Sequence, residues 1–450
     1  MDFYQANLAA FLVANAYLLY RQYGSGQKKT RFQLGLATIA ENGVKGNVSV
    51  AGRRFQFNFL LPYTLAIAAD WLQGPHIYAI YKYEKNIPEK VVAALYATGF
   101  VSGGISASFA GGLADRFGRK RACLLYCALY VVTCATMLSD SLWVLFLGRL
   151  CGGVGTTLLF SVFEAWMISE YHDRCLQILG LELSSVFGNM TTLSCIAAIV
   201  SGVVGDVLVE RSGTRTWPFI AASLCCVGAA CLISKTWNEN YGSNLTEQRT
   251  IADVRDGVVS IFRDARILSL GITSCFFEGA MYLFIFFWSA ALKSARARSP
   301  GSDDNELPFG LIFSSFMCAM MAGSAVYKSQ AKVHTVQSVS NVLMAVILVV
   351  SCCLSLGAVL QMESLLFWAF CLLEACIGAY FPSVAYLKSE VIEDGIRGRV
   401  YSILRFPLNV FVVVAHSLDE EGDSHRNQVF LVCSGLLLVA FLIARVKLRF

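Results

Sequence analysis

The sequence has few charged residues for its length. Only 15% of its 450 residues are Asp, Glu, Lys or Arg, whereas 56% are hydrophobic. Soluble domains carry about 25% charged residues. Long polar stretches that could link two or three soluble domains are also missing. Together these absences exclude an ordinary soluble protein.

The sequence also lacks the motifs of several chemistries. Its 16 cysteines include no C-x-x-C pair, its five histidines are dispersed, and it has no glycine-rich nucleotide-binding loop. We therefore predict no zinc, redox or nucleotide site. The net charge of +5 is placed in loops, as in membrane proteins, and does not indicate nucleic-acid binding. We expect no cofactor, no metal and no enzymatic activity.

What the sequence does contain is a series of apolar runs that are long enough to cross a membrane. About 20 residues span a bilayer core of roughly 30 Å. The runs predict an all-α, multi-pass membrane protein with an uncleaved hydrophobic helix over 4–20 and twelve core spans. We predict the core spans at 57–81, 91–113, 122–139, 142–168, 182–206, 217–234, 267–290, 308–327, 337–358, 364–387, 398–416 and 427–444.

Lysine and arginine are distributed unequally between the loops. With the N-terminus outside, 25 of them fall in inner segments and 9 in outer ones, as the positive-inside rule requires. A long inner loop divides the twelve spans into six and six, which is the layout of transporters whose site lies between two halves. The predicted organisation is an anchor helix and cytosolic link over 1–56, a six-helix half over 57–234, a cytosolic loop over 235–266 and a second half over 267–450.

The cytosolic loop after the second core span reads GGLADRFGRKR, residues 111–121. It resembles the signature loop of the major facilitator superfamily, and this resemblance implies two six-helix halves that rock around a central site. We expect the loop to latch inner helix ends, with close helix approach at Gly111 and with Asp115 accepting hydrogen bonds from a neighbouring helix N-terminus. An ordinary positive-inside loop is the alternative. The matching residues are Gly111, Asp115, Arg116, Gly118, Arg119, Lys120 and Arg121.

A narrower resemblance covers most of the chain. The segments AADWLQGPHIYAIYKYE (68–84), LLFSVFEAWMISE (158–170), GLIFSSFM (310–317) and LLEACIGAYFPSVAYLKSEVI (372–392) are similar to the molybdate-anion transporter family. The resemblance implies import of molybdate across the plasma membrane, and we expect the transporter to be a monomer. Two alternatives stay open: a facilitator of another small solute, such as an organic anion or a sugar, and a transport-dead membrane sensor or scaffold.

Ionisable side chains inside the predicted spans are the candidate site residues. Each costs about 2.5–3.5 kcal/mol at a helix centre on insertion scales, so we expect each to face the bundle interior with a partner. We predict that arginines bind the oxyanion through their planar donors, that carboxylates balance them in the empty site, and that one carboxyl carries a coupling proton. Salt bridges that only hold helices together are the alternative. The candidates are Asp70, Arg149, Glu164, Glu278, Glu374 and Arg405, with Asn189 as an uncharged donor.

Overall fold

The computed structural model describes residues 3–37, 45–176, 181, 183–242, 259, 261–298, 307–330, 335–392, 397–417 and 422–448. These residues are almost entirely helical. A short helix, Ile77–Ala79, and a π-helical turn, Ile80–Glu84, follow the second long helix. The long helices are α1 Phe3–Ala37, α2 Lys45–Gln73, α3 Glu89–Ala107, α4 Ala110–Phe117, α5 Arg119–Thr136, α6 Leu142–Asp173, α7 Leu183–Ser212, α8 Trp217–Thr236, α9 Ala265–Ala297, α10 Phe309–Gln330, α11 Val336–Val359, α12 Glu363–Val391, α13 Arg397–Ser417 and α14 Asp423–Lys447.

The predicted spans fall on helical segments of the described residues, so the all-α, multi-pass prediction is confirmed. Nine helices of the described residues are long and apolar enough to cross a membrane. The segment predicted as a polar link, however, is largely helical. Helix α1 continues to Ala37 and α2 starts at Lys45. That segment contains no proline, and its Gln, Lys and Arg residues are good helix formers. The predicted span 91–113 is divided into α3 and α4.

Ala16–Ile80 and Val101–Thr246 form one compact unit, the N-terminal unit. Within it α5 lies against α6, and α2 lies against α7 and α8. Glycines on α6 allow its close approach to α5. A Cβ atom built on Gly148 would lie 2.0 Å from Thr136 Oγ1, and one built on Gly155 would lie 2.6 Å from the Tyr130 ring. Small residues permit such close approach of helix backbones in membranes.

Met1–Asn15, Tyr81–Phe100 and Glu247–Phe450 form the second compact unit, the C-terminal unit. Here α10 crosses α12 with backbone in direct contact with backbone. A Cβ atom on Gly323 would lie 1.9 Å from the Ala375 carbonyl oxygen, and one on Gly378 would lie 1.9 Å from that of Met320. The first residues of α1 pack against this pair of helices.

Candidate functional site

Asp70, near the C-terminal end of α2, is the centre of a polar cluster in the N-terminal unit. Its carboxylate accepts a hydrogen bond from the Tyr130 hydroxyl of α5. The same hydroxyl lies 2.9 Å from Thr156 Oγ1 of α6. Arg149, also on α6, attracts the carboxylate electrostatically. Two predicted residues, Asp70 and Arg149, therefore lie within electrostatic range of each other, and hydroxyl groups of Tyr130 and Thr156 form a hydrogen-bonded chain that starts at Asp70.

Tyr130 is a residue of this cluster that the sequence analysis missed. Its position follows from the glycine motif on α6, because any side chain at Gly155 would collide with the Tyr130 ring. One turn earlier on α5, Tyr126 donates to the carbonyl oxygen of Ala66, 2.8 Å away. Two tyrosines four residues apart lie on one helix face. This spacing is visible in the sequence and could have indicated a shared tyrosine face on α5.

Two other candidates of the N-terminal unit are not joined to this cluster by a hydrogen bond or ion pair among the described residues. Glu164 has an exposed side chain on α6 and lies within electrostatic range of Tyr63. Asn189 is half-buried on α7. Farther along α7, Ser194 accepts a hydrogen bond from the Trp71 indole at 3.3 Å.

In the C-terminal unit the predicted carboxylates have different surroundings. Glu278 of α9 accepts a hydrogen bond of 3.2 Å from the Tyr380 hydroxyl of α12. The Tyr380 ring stacks on Phe277, with 3.7 Å between ring centroids. Glu374 is buried on α12, and it makes no hydrogen bond or ion pair with the other residues that the structure describes. Arg405 belongs to α13, but its side chain lies outside the described residues.

The signature loop forms a second polar centre, at the junction of α4 and α5. Gly118 has φ of +112° there, a conformation that glycine tolerates and other residues rarely adopt. The Glu239 carboxylate accepts from the backbone N–H of Lys120 at 2.7 Å and from that of Arg121 at 3.3 Å. A helix N-terminus favours an anion through its free N–H groups and its dipole. Glu239 is therefore the anion bound at the start of α5.

The segment Trp237–Gly242 holds the signature loop against its own unit. The Lys120 ammonium group donates to the Trp237 carbonyl oxygen at 2.7 Å, and the Gly242 N–H donates to the Asp115 carbonyl oxygen at 3.0 Å. The Trp237 indole stacks on that of Trp166, with centroids 3.8 Å apart. This segment thereby connects α4, α5 and α6. Sequence analysis missed Glu239, although an acid a few residues after a span was visible.

Two expectations about the loop are wrong in detail. None of the residues that the structure describes lies within 4 Å of a Cβ atom built on Gly111, so none of the described helices approaches there. Asp115 accepts its side-chain hydrogen bond from the guanidinium group of Arg119, at 2.7 Å, and no helix N-terminus supplies one. The physical reason is that Glu239 already occupies the N-terminus of α5. Arg116 and Arg121 have exposed side chains, and Arg116 lies over the ring of Phe117.

Solved structures with the same fold are transporters. The nucleoside transporter NupG aligns with a TM-score of 0.72 at 12% identity and covers 88% of this chain and 100% of its own. An auto-inhibited POT family peptide transporter aligns with a TM-score of 0.70 at 9% identity, over 88% of this chain and 96% of its own. At these identities the likeness shows the fold alone. The fold and the signature loop are those of the major facilitator superfamily.

Sequence relatives narrow this class. Residues 16–422 match the model of a family described as sugar transporters with 12 transmembrane segments. The molybdate-anion transporter of Xenopus tropicalis is 32% identical over 87% of this chain and 85% of its own length. That of Danio rerio is 30% identical over 87% of this chain and 86% of its own length. The chain therefore belongs to this twelve-span transporter family, as a relative of the molybdate-anion transporters.

Proposed function

We propose that this chain imports molybdate across the plasma membrane towards the cytosol, as a monomer whose two six-helix halves expose the site alternately to either side. The names of its relatives support the substrate. The observation that carries the proposal is the cluster of Arg149, Tyr130 and Thr156 around Asp70. A guanidinium group and two hydroxyls supply the donors that a tetrahedral oxyanion requires.

In this proposal the anion competes with Asp70 for Arg149. Asp70 lies within electrostatic range of the half-buried Arg149, so its negative charge balances that of the arginine while the site is empty. When molybdate arrives, its oxygens accept hydrogen bonds from the guanidinium group and from the hydroxyls of Tyr130 and Thr156. Arg405, on α13, is proposed as a second arginine for the anion. Glu278, Glu164 and Asn189 are proposed as further polar groups of the translocation route.

The test is molybdenum uptake into cells that express the protein, measured by mass spectrometry. We expect uptake above that of control cells, competition by tungstate, and a loss of at least about tenfold in Arg149→Ala, because a charge-assisted hydrogen bond contributes about 1.5–3 kcal/mol. Arg149→Lys should keep only part of the native uptake, since lysine lacks the planar fork of donors that arginine has. Arg211→Ala, which changes an exposed arginine at the end of α7, is the matched control. Full uptake by Arg149→Ala combined with Arg405→Ala would disprove the arginine site.

A sugar is the second candidate substrate, because the matching family model is described as sugar transporters. A sugar site should depend on amide and indole groups more than on arginine. Uptake of labelled sugars, unaffected by Arg149→Ala and not competed by molybdate, would favour this candidate. Protein at the cell surface that takes up neither solute would favour a sensor or scaffold.

A further inference from the structure

The N-terminal helix α1 is docked through one face in the C-terminal unit. Tyr4, Leu8 and Asn15 are buried, and their spacing of four and seven residues places them on a single helix face. The Tyr4 hydroxyl donates to Glu363 at the start of α12. Arg296 of α9 also contacts Glu363, at 3.5 Å. This part of α1 is therefore a specifically packed element of the unit.

Asn15 places a polar group in the interior of this contact. Its Nδ2 donates to the Cys318 carbonyl oxygen of α10 at 2.9 Å and to the Phe11 carbonyl oxygen at 2.9 Å. Its Oδ1 is buried without a hydrogen-bond partner in the described part of the chain. An unsatisfied buried acceptor costs about 1–3 kcal/mol. Such an acceptor calls for a donor that is present in another state of the protein.

Glu374 of α12 belongs to the same junction. Glu374 is 5% exposed. Burying a carboxylate in a membrane protein without a counter-charge has a high free-energy cost. Cys371, one turn earlier on α12, lies within electrostatic range of both Glu374 and Cys318. Cys318 is the residue whose carbonyl oxygen binds Asn15. Asn15 is thus bonded to Cys318, and Cys371 lies within electrostatic range of both Cys318 and Glu374.

The chain positions place both polar groups at a similar depth. Asn15 follows Tyr4 by eleven residues and Glu374 follows Glu363 by eleven, and Tyr4 is hydrogen-bonded to Glu363. Eleven helical residues are about three turns, or roughly 16 Å. Each residue therefore lies below the Tyr4–Glu363 contact on the same face of its own helix.

Among the described residues no charged side chain acts electrostatically on Glu374, and the nearby titratable groups include thiols. Cys371 lies on α12 itself and α10 contributes Cys318. The α11 helix contributes Cys353, which is near Cys376. On α9 the carboxylate of Glu278 accepts a hydrogen bond from Tyr380 of α12. At 100° per residue, Tyr380 lies about 120° around α12 from Glu374 and therefore on a different face of that helix. On α1 the Tyr4 hydroxyl is engaged by Glu363.

We propose that Glu374 is the site of the coupling proton and that the N-terminal helix completes it. The carboxylate takes one proton from water on the outer side and becomes neutral, and its O–H then donates to Asn15 Oδ1. Release of that proton on the inner side restores the carboxylate. The coupling role rests on the proposed transport function, whereas proton binding at Glu374 does not.

Infrared spectroscopy of the purified full chain tests proton binding without substrate. We expect the C=O stretch of a buried protonated carboxyl group in the native protein, its loss in Glu374→Gln, and a shift to higher frequency in Asn15→Leu as the hydrogen bond is removed. Asn7→Leu is the matched control and should leave the band unchanged, because within the described part of the chain the Asn7 side chain bonds only to the Phe3 carbonyl oxygen of its own helix. A band that survives Glu374→Gln, or that ignores Asn15→Leu, would overturn the assignment. If Asn15→Leu does not fold, Asn15→Ala serves in its place.

Transport in proteoliposomes tests the coupling. An inward proton gradient should stimulate molybdate uptake by the native protein and not by Glu374→Gln, which should keep exchange of molybdate for molybdate. Asn15→Leu should need about tenfold more protons for half-maximal stimulation, the equivalent of one lost hydrogen bond. Equal stimulation of Glu374→Gln, or a drive by sodium in place of protons, would overturn the proposal. Absence of exchange in the native protein would instead contradict molybdate transport and leave the infrared result valid.

Discussion

The carboxylates of Asp70 and Glu278 have different neighbouring residues in the two units. Both lie on the first core helix of their half of the chain, and both accept a hydrogen bond from a tyrosine of another helix. Asp70 also has Arg149 within electrostatic range and Thr156 near its tyrosine. The tyrosine beside Glu278 is instead stacked on Phe277. The comparison indicates that the carboxylate of the first core helix has a cation within electrostatic range in one unit and an aromatic stack beside it in the other.

The largest expected difference between the units is the effect of removing the carboxylate charge. Asp70→Asn removes the charged acceptor of the Tyr130 hydroxyl and a negative charge within electrostatic range of Arg149, and a hydrogen bond to a charged group contributes about 1.5–3 kcal/mol. Glu278→Gln keeps the size of the side chain and an acceptor for Tyr380. We therefore expect molybdate uptake per molecule at the surface to fall at least tenfold in Asp70→Asn and less in Glu278→Gln. Equal losses would show that the two carboxylates have the same role.

A smaller difference is expected from the two tyrosine hydroxyls. Tyr130→Phe removes a hydrogen bond to an ionic partner and the contact with Thr156, which together should lower uptake about tenfold. Tyr380→Phe keeps the stack on Phe277 and loses one bond of 3.2 Å, so its effect should be within about threefold. Uptake kinetics of both variants measure this. A greater loss in Tyr380→Phe would place substrate contact in the C-terminal unit.

The smallest change is a single methyl group on a glycine. Gly155→Ala should destabilise the N-terminal unit by about 1–3 kcal/mol through overpacking, since the new Cβ would be 2.6 Å from the Tyr130 ring. Gly111→Ala should be neutral because the space around it is open. Thermal unfolding of the two purified variants, followed by size-exclusion chromatography, compares them. A stable Gly155→Ala protein would mean that α5 and α6 can separate without loss.

Much of the fold could be predicted because spans are long and hydropathy is a local property. The thirteen predicted spans, the signature loop and the family all follow from contiguous residues. The partners of the charged residues could not be predicted in this way. Tyr130 and Glu239 reach Asp70 and the start of α5 only through tertiary contacts. The tyrosine spacing on α5 and an acid near the end of a span are visible in the sequence, but neither identifies the residue that each side chain binds.

Gly323 and Gly378 limit how the C-terminal unit can rearrange. With each glycine lying against a backbone carbonyl of the other helix, α10 and α12 leave no room for a methyl group at either crossing point. A sliding motion between them would bring larger residues to those points, so the two helices must travel as a single rigid body. The same geometry makes this glycine pair a landmark for aligning distant relatives, since a larger residue at either position requires the helix axes to move apart.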